Sequence, residues 1–135
     1  MSAQRITLER CGRVYARIAL GAAFLSAVAS RLGIWSWNFS GEKFASFVRY
    51  TAEVNSFMPA STIPFLAWAA TLAELTLGIA LIIGVRIREV AFASAILLAL
   101  FATAMAISFG IKEPLDYSVY SASAGALLLA LRTDE

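Results

Sequence analysis

Between Ile63 and Gly84 the chain stays apolar for the length of a membrane span, and a single carboxylate, Glu74, stands in its middle. A helix of about 20 apolar residues crosses the hydrocarbon core of a bilayer. An ionisable side chain in such a segment is costly unless it faces other helices and meets a partner. The stretch therefore calls for further spanning helices, one of them with a basic or hydrogen-bonding group within reach of Glu74. The apolar run closes on Arg86 and Arg88.

The rest of the chain has the composition to supply those helices. Of its 135 residues, 60% are hydrophobic and 15% charged, and the mean hydropathy is +0.76. Soluble domains are about 45–50% apolar and about 25% charged, so the chain reads as one integral membrane domain. The net charge of +2 comes from arginines beside apolar runs. They form no continuous basic stripe, which argues against a nucleic-acid partner. Cys11 is the sole cysteine and there is no histidine. An intrachain disulfide, a dithiol redox pair and the usual haem or metal ligands are thereby ruled out of the expectation. No catalytic residue and no metal ligand is assigned, and the reading leans away from an enzyme.

Four spanning helices are expected, at about 14–37, 63–84, 90–110 and 115–131. The first follows Arg5, Arg10, Arg13 and Arg17, and with Ala27-Val28-Ala29 it imitates a secretory signal. Phe24 to Trp37 prolongs it, which favours a span. Arg17, Gly21, Phe24, Val28 and Arg31 recur at three or four residues and so share one helix face, which should avoid lipid. Between the first two spans, Ser40-Gly41 opens a helix with Phe44, Phe47, Val48, Thr51, Val54 and Met58 on one side. That amphipathic segment either lies in the membrane interface or packs as a lid over the bundle end. Trp35, Trp37 and Phe39 suit the headgroup region. The short loops nearest the N-terminus, Arg86–Arg88 and Arg132 carry the basic residues, so both termini are expected on the cytoplasmic side of a bacterial inner membrane. The expected fold class is an all-α, four-helix membrane bundle with an extracytoplasmic amphipathic segment.

Three blocks of residues suggest a family. They are Arg17, Leu20-Gly21, Phe24-Leu25 and Arg31 in the first span; Ala73-Glu74-Leu75, Leu77-Gly78 and Leu81 to Gly84 before Arg86 in the second; and Leu115-Asp116-Tyr117-Ser118 in the fourth. From about Arg17 to Leu131 the chain resembles the DoxX family of small four-helix membrane proteins. The resemblance implies a small subunit associated with a quinol oxidase or a thiosulfate:quinone oxidoreductase, in a respiratory or photosynthetic setting, or a part in redox homeostasis or in maturing other membrane proteins. Relatives active in thiol chemistry carry cysteines that this chain lacks.

The residues themselves suggest a polar cluster of Arg31, Glu74, Asp116, Tyr117 and Tyr120 in the outer half of the bundle. One reading is a site for an amphipathic small molecule, a quinone or a lipid, with the arginine and tyrosines donating to its oxygens and Glu74 relaying a proton. The other is that Arg31 and Glu74 neutralise each other and fix helix register. The first expectation for function is accordingly an accessory subunit that binds lipid or quinone and stabilises a larger membrane complex. The alternative is a stand-alone binder, transporter or oxidoreductase built on the Glu74 and Arg31 cluster. A homo-oligomer is an open possibility, through the small residues from Ser121 to Ala126.

Overall fold

A computed structural model describes residues 2–133, and among these the regular structure is entirely helical. Helix α1, Ala3–Arg31, starts where the Ser2 hydroxyl accepts the Arg5 N–H at 3.3 Å, an N-cap that satisfies one of the free donors of the first turn. The cap extends the helix eleven residues ahead of the expected start at Val14. At the other end the expectation overshoots: α1 stops at Arg31, not Trp37. The Gly33 N–H bonds back to Ser30 and the Ile34 N–H to Ala29 at 2.9 Å, a left-handed glycine stop. A side chain on Gly33 would land 1.7 Å from the Asn38 carbonyl oxygen, so only glycine fits the turn.

Helix α2, Glu42–Val54, turns its apolar side toward the bundle, burying Thr51 and Val54. It packs against the two helices that follow, and the Phe44 and Trp68 rings meet at 4.5 Å. It covers the bundle end as the lid placement expected. A short 3-10 turn, Ala60–Thr62, leads into α3, Ile63–Ile83, with Pro64 in its first turn, where a missing N–H costs nothing. Helix α4 spans Ile87–Phe109.

The fourth expected span, 115–131, is broken. Lys112–Asp116 forms a short helix α5, Ser118 adopts a left-handed conformation at φ 57°, and α6 runs only Val119–Leu131. Three helices, Ala3–Arg31, Ala60–Ile83 and Ile87–Phe109, are long and apolar enough to cross a membrane; α6 is a shorter apolar helix.

The helices pack chiefly as two pairs, α1 with α3 and α4 with α6. The first pair crosses at Gly21 and Gly78. A methyl group on Gly21 would sit 3.0 Å from the Gly78 carbonyl oxygen, and one on Gly78 3.2 Å from the Gly21 carbonyl oxygen. The two Leu-Gly dipeptides of the sequence are thus opposite sides of one contact. The second pair is joined by small residues, with Ala91, Ser94, Ala95, Ala126 and Ala130 buried and the Ser123 hydroxyl donating to the Ala95 carbonyl at 2.7 Å. Phe24, Leu81, Ala91, Leu129 and Ala130 fuse both pairs into one core near the arginine-rich end. Contact between α3 and α4 is sparser than within either pair.

Candidate functional site

Glu74 lies on the buried stripe of α3, with Ala67 and Thr71 toward α2 and Gly78 beyond it. That stripe turns the carboxylate toward α1. Arg31 is the last residue of α1, placed there by the Gly33 stop, and a cation at a helix C-terminus is favoured by the backbone dipole. Its guanidinium Nη1 forms an ion pair with Glu74 Oε2 and donates to the Thr71 hydroxyl at 3.2 Å. Thr71 in turn donates to the Ala67 carbonyl at 2.8 Å. The guanidinium also lies over the Phe47 ring of α2, 3.7 Å from its centre, a cation–π contact. The side chains of Arg31 and Glu74 are only 12% and 6% exposed. Four elements of the interaction thus come from three helices.

Beside this pair a cavity of about 250 Å3 occupies the looser seam between α3 and α4 under α2. Leu66 and Ala70 line one wall and Leu97, Leu100, Phe101, Ala104 and Met105 the other. Arg31 and Glu74 form its polar end, and Tyr50 of α2 and Asn55, which caps that helix, line the roof. Leu100 is 63% exposed, so the cavity opens sideways on the outer surface of the bundle. Tyr50 is partly exposed, and its ring lies 6.2 Å from that of Phe109. Burial raises the pKa of its hydroxyl above the usual 10, and the nearby Glu113, Tyr117 and Glu53 push it the same way.

Of the five residues expected in the polar cluster, the fold brings Arg31 and Glu74 together. Asp116 instead pairs with Lys112 on the exposed side of α5. Tyr117 falls at the break before α6 and is 68% exposed. Tyr120 shares a hydrogen bond with Thr103 on α4 at 3.3 Å. The fourth segment is broken just there, at Ser118. Phe47, Tyr50 and the α4 wall were not assigned to a site from the sequence. The apolar spacing of α2 marked Phe47 as inward-facing, whereas nothing distinguished the cavity-lining residues of α4 from those facing outward.

The model of the family described as methylamine utilisation protein MauE matches residues 10–116. No curated protein and no solved structure matches the chain significantly. The family match corrects the resemblance to DoxX. The features behind that resemblance now have local causes: the Leu-Gly pairs make the α1–α3 crossing, and the mid-span carboxylate pairs with Arg31. Such contacts serve close packing and charge pairing in helical membrane proteins generally and do not identify one family. The match runs from the first turns of α1 to the end of α5, well over half of the chain, and takes in all three long apolar helices. The chain is a multi-pass membrane protein and belongs to the methylamine utilisation protein MauE family.

Proposed function

We propose that this chain is an accessory membrane protein of methylamine utilisation, and that it holds a lipid-soluble ligand, a quinone or a lipid, in the cleft between α3 and α4. The observation that carries the proposal is the cavity itself, apolar along both walls and ending on Arg31 and Glu74. Ligand sites of this kind combine apolar walls with a few convergent polar groups and usually measure about 300–1,000 Å3. At about 250 Å3 the cleft takes a single ring or headgroup. A tail would leave beside Leu100 into the bilayer. The Arg31 guanidinium and the Tyr50 hydroxyl are the donors for a carbonyl or headgroup oxygen, and Glu74 holds the guanidinium in place. No step of bond making is assigned to the chain.

In this reading the arginines of α1, Arg86, Arg88 and Arg132 mark the cytoplasmic side of a bacterial inner membrane, following the positive-inside rule. The α5–α6 unit completes a fourth crossing, since 13 residues of α6 extend only about 20 Å alone. A larger membrane complex is the natural partner, and the exposed Trp35, Trp37 and Phe39 at the α2 end lie where one would dock.

A second reading has a specific observation in its favour. Arg31 already has a carboxylate, a hydroxyl and an aromatic face around it, which suffices for a purely structural pair. Two cavity-filling variants, Ala104→Phe and Ala70→Leu, separate the readings because they leave the ion pair intact. Organic extracts of the purified protein, analysed by mass spectrometry, are expected to contain one quinone or lipid species in near-stoichiometric amount, and to lose it in both variants. Complementation of growth on methylamine should fall with it. Retention of the same extract and of growth by both variants would return the pair to a structural role.

A further inference from the structure

We propose that the arginine-rich end of the bundle binds one anionic phospholipid, with its phosphate among Arg10, Arg13 and Arg17 and an acyl chain in the groove between α1 and α6. This site lies at the opposite end from the cleft beside Arg31 and does not depend on it.

Three arginines on one face of α1 line a small cavity of about 90 Å3, together with Thr133. Among the described residues no carboxylate lines it. Their existing partners leave much of their donor capacity open. Arg13 makes a single long bond, at 3.5 Å, to the Arg132 carbonyl. Arg17 lies against Gly84 at the C-terminal end of α3, and its Nε is buried with no hydrogen-bond partner among the described residues. An orphaned guanidinium N–H is costly inside a protein, and a phosphate oxygen is the partner its fork geometry fits best. Arg17 lines the cavity, so a phosphate there is offered the remaining N–H groups of the same guanidinium.

A second, larger space identifies the phosphate as part of a lipid. A groove of about 430 Å3 runs between α1 and α6 and shares Arg13 and Leu129 with the smaller cavity, so the two are neighbours. Its floor includes Gly12, Ala16 and Gly125, and the space beside both glycines is open. Glu9 also lines the groove, and it is paired with Arg5 at 3.6 Å. An arginine-lined pocket beside a groove that joins Ala16, Leu128 and Leu129 to the charged Glu9, Arg13 and Arg132 suits an amphipathic anion, a phospholipid, better than a free anion. Basic pockets between spanning helices near the interface are recognised sites for anionic headgroups.

Native mass spectrometry of the full chain with phosphatidylglycerol or phosphatidylcholine of identical acyl chains tests the proposal. One phosphatidylglycerol is expected to be retained in preference to phosphatidylcholine. Arg17→Gln should weaken that retention on the order of tenfold, as expected for one charge-assisted hydrogen bond. Arg10→Gln, at an exposed position, gives the same direction of change should Arg17→Gln fold poorly. Gly125→Leu should also weaken it by blocking the groove. Equal retention of the two lipids, or unchanged retention in both arginine variants, overturns the proposal. Displacement by millimolar inorganic phosphate with no effect of Gly125→Leu would mean a free-phosphate site and likewise overturn it. Asp134 and Glu135 follow Thr133 and lie outside the described residues, so D134N/E135Q is compared as well. A preference for phosphatidylglycerol in both forms supports the proposal. A preference found only in that variant would show that the chain's own carboxylates fill the pocket, and would overturn it.

Discussion

Arg17 and Arg31 share one face of α1 about four turns apart, yet the protein treats them in opposite ways. Arg31 is enclosed by Glu74, Thr71 and Phe47. Arg17 has a buried Nε with no partner among the described residues. The difference follows from what lies opposite on α3. Near the α2 end that helix presents a carboxylate and a hydroxyl; at the arginine-rich end it presents Gly84 and its own terminal carbonyls. One arginine is thus satisfied within the fold. The other has no such partner for its Nε among the described residues, and the same helix face therefore combines a paired guanidinium with an unpaired one.

The sharpest way to break this comparison is to remove the acid. Glu74→Ala leaves Arg31 charged and enclosed, and the cost of breaking a buried pair on one side is about 3–5 kcal/mol. Thermal unfolding in a mild detergent measures it. The double variant Arg31→Met with Glu74→Leu should recover most of the loss, because no lone charge remains. If the single variant unfolds at the wild-type temperature, Arg31 has another partner and the enclosed half of the comparison fails.

Between the two arginines lies the Gly21 and Gly78 crossing that sets the α1–α3 distance. Gly21→Val must push against the Gly78 backbone, and overpacking of this kind costs about 1–3 kcal/mol. Because the crossing controls how closely α1 approaches α3, the variant should also lengthen the separation of Arg31 from Glu74. Spin labels on α1 and α3 would report that spacing. Unchanged stability and spacing would show that the helices are not held at this point.

Much of this organisation was legible in the residues. The face Arg17, Gly21, Phe24, Val28, Arg31 was readable because helical spacing alone aligns it, and Gly21, Phe24 and Val28 are buried. The association of Glu74 with Arg31 followed from the cost of an unpaired acid in an apolar segment. What escaped was set by single backbone conformations. Gly33 ends α1 six residues early because Asn38 packs against its Cα. Ser118, left-handed without being glycine, breaks the fourth segment, and Asp116 pairs with Lys112 in place of Arg31. The cleft itself was beyond reach, because it depends on α3 and α4 packing less closely than their neighbours, and apolar residues facing a cavity look like apolar residues facing lipid.

Smaller effects refine the contrast. Phe47→Leu removes the aromatic face over Arg31 while keeping the apolar packing, for a loss of about 1 kcal/mol. Arg17→Met removes only a favourable position near the end of α3, worth about 0.3–1 kcal/mol. In phosphatidylcholine the two should be similar. In phosphatidylglycerol the Arg17 variant should become the worse of the two, since the phosphate site proposed at the arginine-rich end includes Arg17 and not Phe47. Equal behaviour in both lipids would place both arginines on the same footing.

The smallest expected effect is a pH dependence confined to the cleft. Tyr50 lines its roof, and burial, followed by Glu113, Tyr117 and Glu53, raises its hydroxyl pKa above 10. A raised pKa in the folded state means that the folded protein holds this proton more tightly than the unfolded chain. The contribution is therefore fully present below the unfolded value of about 10 and is lost as pH rises through the folded value. The wild type should lose stability above pH 10 more steeply than Tyr50→Phe, which has no proton to release. The loss should begin with loosening of α2, because ionised Tyr50 would face Glu53 on its own helix and Glu113 on α5. Tryptophan fluorescence follows it, since Trp68 packs against Phe44 of α2. A steeper alkaline transition in Tyr50→Phe than in the wild type would reverse the sign and remove Tyr50 as the group that ties the roof to the cleft.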